Sequence, residues 1–486
     1  MNILHFIDDL NRSRGWHIDG AYYQLIQQWR DWWRGSCGDF HTVRMQGMDG
    51  TLYKREMYRL RMPKRCCEDW AALLLNDRTT VTVEDAAAAR WLLGDAGQTG
   101  GVLGALQFWP RANELVELAF RSGTGAFVMG VENLRVQAGH AIASPHTRLC
   151  MDYLPAECIL PVTVRHGQVV DAAFASEVTV DGRPCVYLQT HQLTGDGYRI
   201  TNELFTCEGE QFSPAPLPPG MAGSFVTGSE VPWFALFRPA ILKNRDGGAG
   251  LGMAVFAEAI DQAKQCDLAF DNYCMDIALG GKKVFYNKTM LKSWMDGQGV
   301  QHFAAPDDIR QQLFVHTAGF DPDAEPDWHE YNPDLRVEAN SRAVQDALDY
   351  FSFKTGLGTR RYQFTASGVK TATEYTGDRQ DMVQHANRHQ IQIEAALMQI
   401  MRALLWAGKT LLGQNFDENT TVTVNFDDSY ITDTGTRRET DRQDVRDGLW
   451  PKYRYLMEWR GLSESDAKAA VAEAADAEPP LTFGGA

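Results

Sequence analysis

The chain has 486 residues, and its 63 Asp and Glu outnumber 47 Lys and Arg to leave a formal net charge of −16. A hydrophobic content of 44% and a charged content of 23% are those of folded globular protein, which excludes wholesale disorder, and the length allows two or three domains. Proteins that hold DNA tightly concentrate Lys and Arg, so this balance argues against a tight DNA binder and suits an ordinary acidic soluble protein.

The first residues, MNILHFIDDLNRSRG, carry an apolar run interrupted by Asp8 and Asp9, which spoils a secretory h-region. Helical patterning follows in AYYQLIQQWRDWW (21–33) and in PRANELVELAFR (110–121). Strand patterning comes next. GAFVMGVE, RLCMDYLP, ECILPVTV, QVVDAAFASEVTV, PCVYLQTHQL and GYRITNELF alternate or run apolar, with turn pairs His166-Gly167 and Asp181-Gly182 between them. This reads as an α+β body of about 250 residues. The stretches FSPAPLPPGMAGS (212–224) and KNRDGGAGLG (243–252) mark the exit from it toward a helical region. Nine cysteines form no C-x-x-C, and Cys266 and Cys274 are separated by about 12 Å of helix, so the thiols are expected to be reduced, as in a cytoplasm.

Phe256, Ile260, Ala263, Asp267, Phe270, Cys274 and Ile277 repeat at steps of four and three, the seam of a helix that packs lengthwise on neighbours, with Glu258, Asp261, Asp267, Asp271 and Asp276 interleaved. A second helix is expected over 336–356, with Val337, Val344, Ala347, Leu348 and Phe351 on one face and Gly356 and Gly358 as stop signals. Thr371 and Glu374 have the spacing of a capping box. Behind them Met382, Ala386, His389, Ile393, Leu397, Ile400 and Leu404 draw one stripe along a rod of roughly 60 Å, longer than a compact domain needs. Arg402 and Lys409 within its most apolar part make it a packing helix rather than a membrane span.

Three constellations resemble catalytic sites and lack partners. The glycines of 247–252 precede a helix, but no Gly-Lys-Ser/Thr follows, which leaves a flexible approach to the next domain. His385 and His389 stand four apart without H-E-x-x-H, the pattern of polar contacts between helices. Asp427 and Asp428 end a strand and either bind a metal or cap the following turn. No G-x-S-x-G elbow occurs. No metal, no cofactor and no enzymatic activity are expected.

A helix, a loop ending in G-V-K-T-A-T-E (368–374) and a very long helix with a Met/Ile/Leu stripe together resemble the portal protein of tailed, double-stranded-DNA bacteriophages, of the siphophage type. Other pieces come in that family's order: MPKRCCEDWAALLLND (62–77), Gly123 to Ala126, His191 to Leu193, Tyr198 to Phe205, PWFALFRPAILKN (232–244), GLGMAVFAEAIDQAKQCDLAFD (250–271) and FDDSYITD (426–433). The series spans roughly residues 60 to 435.

The resemblance implies an α+β portal fold with a mixed wing over 1–251, stem helices at 252–280 and 336–358, a small α/β clip at 281–335, a tunnel loop at 359–371, a long spine helix with a returning wing strand over 372–434, and a helical crown with a loose tail over 435–486. It implies a homo-oligomeric ring of twelve at one capsid vertex, assembled in the host cytoplasm and carried in the virion. The ring would pass double-stranded DNA non-specifically and meet the terminase large subunit, the major capsid and scaffolding proteins and a head-tail adaptor, with no membrane. By the same resemblance Arg360, Arg361, Gln363, Thr365, Ser367 and Lys370 would face the DNA channel, and Glu258, Asp261, Asp267 and Asp271 would be channel-side stem acids. Trp294, Asp296, Trp328 and His329 would dock the motor or adaptor, and Met382, Ile393, Leu397 and Ile400 would pack the ring. The alternatives are a minor capsid or adaptor protein, which would form a smaller ring without the two stem helices, and a metal-dependent hydrolase or nuclease.

Overall fold

The computed structural model describes residues 3–46, 51–76, 78–95, 100–209, 211–287, 293–303, 313–316, 328–364, 372–426 and 434–476. Helices and strands share one continuous apolar core. The chain opens with a helix, Ile3–Arg14, whose Ile3, Phe6, Ile7 and Leu10 fall on one face and are buried. The next, Gly20–Arg34, starts where the Asp19 carboxylate accepts the Ala21 N–H and stops at Gly35, whose φ of 67° lets the chain leave the helix. Met62–Leu74 and Phe108–Ser122 pack against each other and against Gly20–Arg34, burying Trp70, Phe108 and Phe120.

Two sheets complete this N-terminal α+β body. In the larger, Arg135–Gln137, His140–Ile142, Ser224–Val226, Gly197–Glu208, Arg183–Thr194, Gln168–Val180 and Ile159–Arg165 are successive neighbours, and Gln211–Ala215 also pairs with Gly197–Glu208. All its pairings are antiparallel except that of Ser224–Val226 with His140–Ile142. The turns His166-Gly167 and Asp181-Gly182 have positive φ at both residues, the geometry that matches the twist of a two-residue hairpin. In the smaller sheet Gly125–Glu132 is central between Phe234–Phe237 and Arg148–Pro155. The Pro-rich stretch read as an exit supplies most of the strand Gln211–Ala215, so the larger sheet runs past the strands read from sequence.

From this body two helices, Ile260–Leu279 and Val337–Lys354, run side by side, and the C-terminal end of the first is tied to the start of the second. Arg336 and Asn340 both hold Asp276, at 2.6 and 2.9 Å. The first helix begins at Ile260 after a short 3-10 turn, Ala257–Ala259, later than the 252 anticipated from sequence. Between the two helices lie Lys283–Asn287, Leu313–His316 and Trp328–Tyr331, which form one small mixed sheet, and the hairpin of Ser293–Met295 with Gln301–Phe303.

The long helix, Ala372–Thr410, has 39 residues and lies on the smaller sheet and on Met62–Leu74. The chain then returns, because Val422–Asn425 pairs antiparallel with Thr80–Val83. Three polar helices follow, Thr434–Arg446, Lys452–Arg460 and Glu464–Asp476, held by the Trp459 indole donating to Asp441 at 3.0 Å and by Lys468 over the Tyr453 ring. Among the described residues no helix is long and apolar enough to cross a membrane. The cysteines are unpaired, and burial pushes the thiols of Cys66 and Cys266 up to about 12.

Candidate functional site

The part of the fold most suggestive of function is the junction where the helix pair, the loop after it and the long helix meet the N-terminal α+β body. The helix Val337–Lys354 ends because Thr355 turns its hydroxyl back to the Phe351 carbonyl at 2.9 Å and Gly356 and Gly358 adopt φ of 79°, as the sequence stop signals anticipated. Gly356 also leaves room for a neighbour, since a Cβ there would lie 3.1 Å from the His385 ring.

The loop base is fastened to the helix Met62–Leu74. The Trp70 indole donates to the Thr355 carbonyl at 3.2 Å, and buried Asp69 accepts from Arg361 at 3.2 Å and from Arg65 at 3.1 Å. Gln345 then holds the Tyr362 carbonyl at 3.1 Å. Arg361 is therefore an internal tie rather than a mobile channel cation. Arg360 and Gln363 are exposed on the loop surface, while Thr365, Ser367 and Lys370, with Thr371 of the anticipated cap, lie outside the described residues.

The four acids assigned to a channel divide into two pairs. Glu258 and Asp261 sit at the surface, paired with Arg245 at 2.9 Å and Lys264 at 3.0 Å. Asp267 and Asp271 turn inward, at 2% and 5% exposure, and this corrects the expectation that they face a channel. Asp267 binds the His41 imidazole at 3.0 Å and accepts the Leu60 N–H at 2.8 Å. Asp271 takes the Arg55 guanidinium in a fork, 2.7 and 2.8 Å, and the Tyr58 N–H at 2.9 Å. The Arg55 hydrogen bond holds the Asp271 carboxyl below the usual carboxylate range. Both acids thus clamp the segment 41–60 onto the first helix of the pair. That segment contains a two-stranded hairpin, Thr42–Gln46 with Leu52–Glu56, for which no signal was read in the sequence.

The residues assigned to ring packing are buried inside a single chain. Met382, Ile393, Leu397 and Ile400 are 2% exposed or less, so they join the long helix to the body of its own chain and are unavailable to a neighbour. Ile391, at 62% exposure, is an apolar residue of this helix left at the surface. In the small insert Asp296 forms a turn, accepting from the Gln298 and Val300 amides at 2.9 Å each. The backbones of Trp294, Trp328 and His329 lie in strands, and their side chains lie outside what the structure describes.

Two of the three sites that resembled catalytic centres make structural contacts. His389 is buried between Trp70 and Phe120, accepts the Ala240 N–H at 2.9 Å, and is pushed down to about 3 by burial. The glycine loop is clamped rather than flexible. Asp19 accepts the Gly248 N–H at 3.2 Å, Tyr22 donates to the Gly252 carbonyl at 2.8 Å, and Lys243 reaches the Gly247 and Gly248 carbonyls. The Gly248 amide, one of those that would cradle a phosphate, already meets a carboxylate. Asp427 and Asp428 lie outside the described residues. No group of three or more His, Cys, Asp or Glu able to hold a metal occurs among the described residues.

No family model matches the sequence, and no curated protein matches it. Among solved structures the chain is similar to one titled as the neck of an empty GTA particle computed with C6 symmetry. That similarity has 14% identity over 85% of this chain and 88% of the other, with a TM-score of 0.34. A score so low carries no weight for fold or function.

Proposed function

We propose that this chain is the subunit of a phage portal ring, a structural conduit for double-stranded DNA rather than an enzyme. The observation that carries the reading is the junction itself. Two long helices, tied to each other at one end by Asp276, Arg336 and Asn340, frame a small strand-bearing insert, and the loop after them is anchored through Trp70 and Asp69 before a 39-residue helix. Such an arrangement offers a loop and an insert on rigid supports, the parts a ring needs to line a channel and to meet other proteins at its foot. The ordered sequence motifs agree with it, since Asp69 and Trp70 of the 62–77 motif are the residues that hold the loop base.

In this reading Arg360 and Gln363 border the channel, the insert 281–335 docks the terminase or the head-tail adaptor, and the ring of about twelve copies sits in the virion at one capsid vertex. Negative-stain microscopy and light scattering of the purified chain at micromolar concentration test it. Closed rings with a central hole are expected. Monomers alone, or a closed dimer without a hole, would overturn the proposal.

A further inference from the structure

The hairpin Thr42–Gln46 with Leu52–Glu56 is a supported arm with an unused face. Two-stranded hairpins are marginal by themselves, and this one is held at its base by buried Asp267 and Asp271. Strand side chains alternate, so Arg55, which meets Asp271, fixes which face turns to the helix. The opposite face carries Arg44, Lys54 and Leu52. Leu52 is 77% exposed, and Glu56 on the same face is taken by Arg59. Arg44 and Lys54 are direct cross-strand partners, and two like charges opposite each other destabilise a hairpin unless an anion lies over them. Neither has an acidic partner among the described residues. Residues 42–61 hold five Lys and Arg against two Asp and Glu, a net +3 within a chain of −16.

The complementary surface is on the second helix of the pair. A groove of about 430 Å³ is lined by Asp346, Asp349, Tyr350, Phe353 and Thr359. Tyr350 and Phe353 are 60% and 59% exposed, and neither carboxylate has a cationic partner among the described residues, Asp349 taking only the Gln345 amide. At 100° per residue these side chains lie opposite Val344, Ala347, Leu348 and Phe351, which bury that helix in its own subunit. The groove therefore opens away from the core of the chain that carries it.

We propose that the arm of one copy docks in this groove of a second copy, Arg44 and Lys54 against Asp346 and Asp349, Leu52 against Tyr350 and Phe353. Two different faces of the chain meet, which makes the contact heterologous and capable of propagating around a ring. The inference deepens the portal reading and rests on it only for ring closure, because the contact itself predicts association of any form.

Charge reversal with rescue tests it in the full-length chain. Arg44→Glu with Lys54→Glu, and separately Asp346→Lys with Asp349→Lys, should each lower the assembled fraction at least tenfold in light scattering at physiological salt. The chain carrying all four changes should assemble again. A photo-reactive benzoylphenylalanine at Leu52, in an equal mixture of ¹⁵N-labelled and unlabelled protein, should give mixed-isotope crosslinks to the 346–359 peptide. Rings that survive both reversals, or crosslinks only within one chain, overturn the docking and leave the portal reading standing. Filaments or open oligomers that obey the swap uphold the docking and overturn the ring. A wild-type chain that stays monomeric overturns both, and crosslinks to added duplex DNA in place of protein assign the arm to nucleic acid and overturn the proposal.

Discussion

His191 is a histidine that the fold keeps neutral. It is fully buried with its ring centroid 5.4 Å from both Phe174 and Phe234, its two nitrogens have no hydrogen-bond partner among the described residues, and burial pushes it down to about 3. His389 is shifted equally, chiefly by burial and then by His385 and Arg388. Both pKa values lie below the unfolded value of 6.5, so between 6.5 and 3 the unfolded chain binds more protons than the folded one. Their contribution to stability is complete above pH 6.5 and declines as pH falls, by about 1.4 kcal/mol per pH unit for each histidine. His191→Leu should therefore remove about that slope between pH 6 and 4. It should also raise stability at pH 7 by about 1 kcal/mol, because an unsatisfied ring N–H leaves the core. Urea midpoints followed by tryptophan fluorescence at several pH values measure both effects. An unchanged slope in the variant would show that His191 titrates normally in the fold.

Among the elements, those that depend on local patterning were legible in the sequence. The helix ending at Gly356 and Gly358, the strands on either side of His166-Gly167 and Asp181-Gly182, and the apolar stripe of the long helix all stand where side-chain period and turn chemistry put them. What the stripe packs against was not legible. A seam of Met, Ile and Leu reads the same whether it meets a neighbouring subunit or the body of its own chain, and here it meets the smaller sheet and Met62–Leu74. The arm was missed for a different reason. TVRMQ and LYKRE are short and mostly polar, and their support comes from Asp267 and Asp271, more than 200 residues away. At the candidate site the loop base was legible and its ties were not, since nothing local marks Arg361 as a partner of Asp69. A pair of substitutions two residues apart separates the two faces of the long helix. Ile393→Asp places a carboxylate at a buried apolar position and should cost several kcal/mol, lowering soluble yield and melting temperature. Ile391→Asp, at an exposed position, should leave the melt of the subunit within about 0.5 kcal/mol of wild type. Equal melts for both variants would refute the assigned orientation of the helix.

At the scale of the whole molecule the charge distribution decides how the chain treats nucleic acid. A net charge of −16 repels a polyanion at long range, and several of the cations that interrupt it are engaged: Arg361 and Arg65 by Asp69, Arg55 by Asp271, Arg336 by Asp276, and Lys64 by Glu68 and Glu117. Counterion release from phosphates needs free cations, and a channel that holds few of them lets DNA pass in either direction without trapping it. The purified chain should accordingly bind duplex DNA no more tightly than about 1 µM at physiological salt, with no sequence preference. Such residual binding should weaken further as salt rises, with the shallow slope of a few phosphate contacts rather than the steep one of a repressor. Fluorescence anisotropy with two unrelated duplexes at 50 and 200 mM salt makes the measurement. A nanomolar complex that prefers one duplex would mean that the chain reads DNA instead of conducting it, and the conduit reading would fall even if rings were observed.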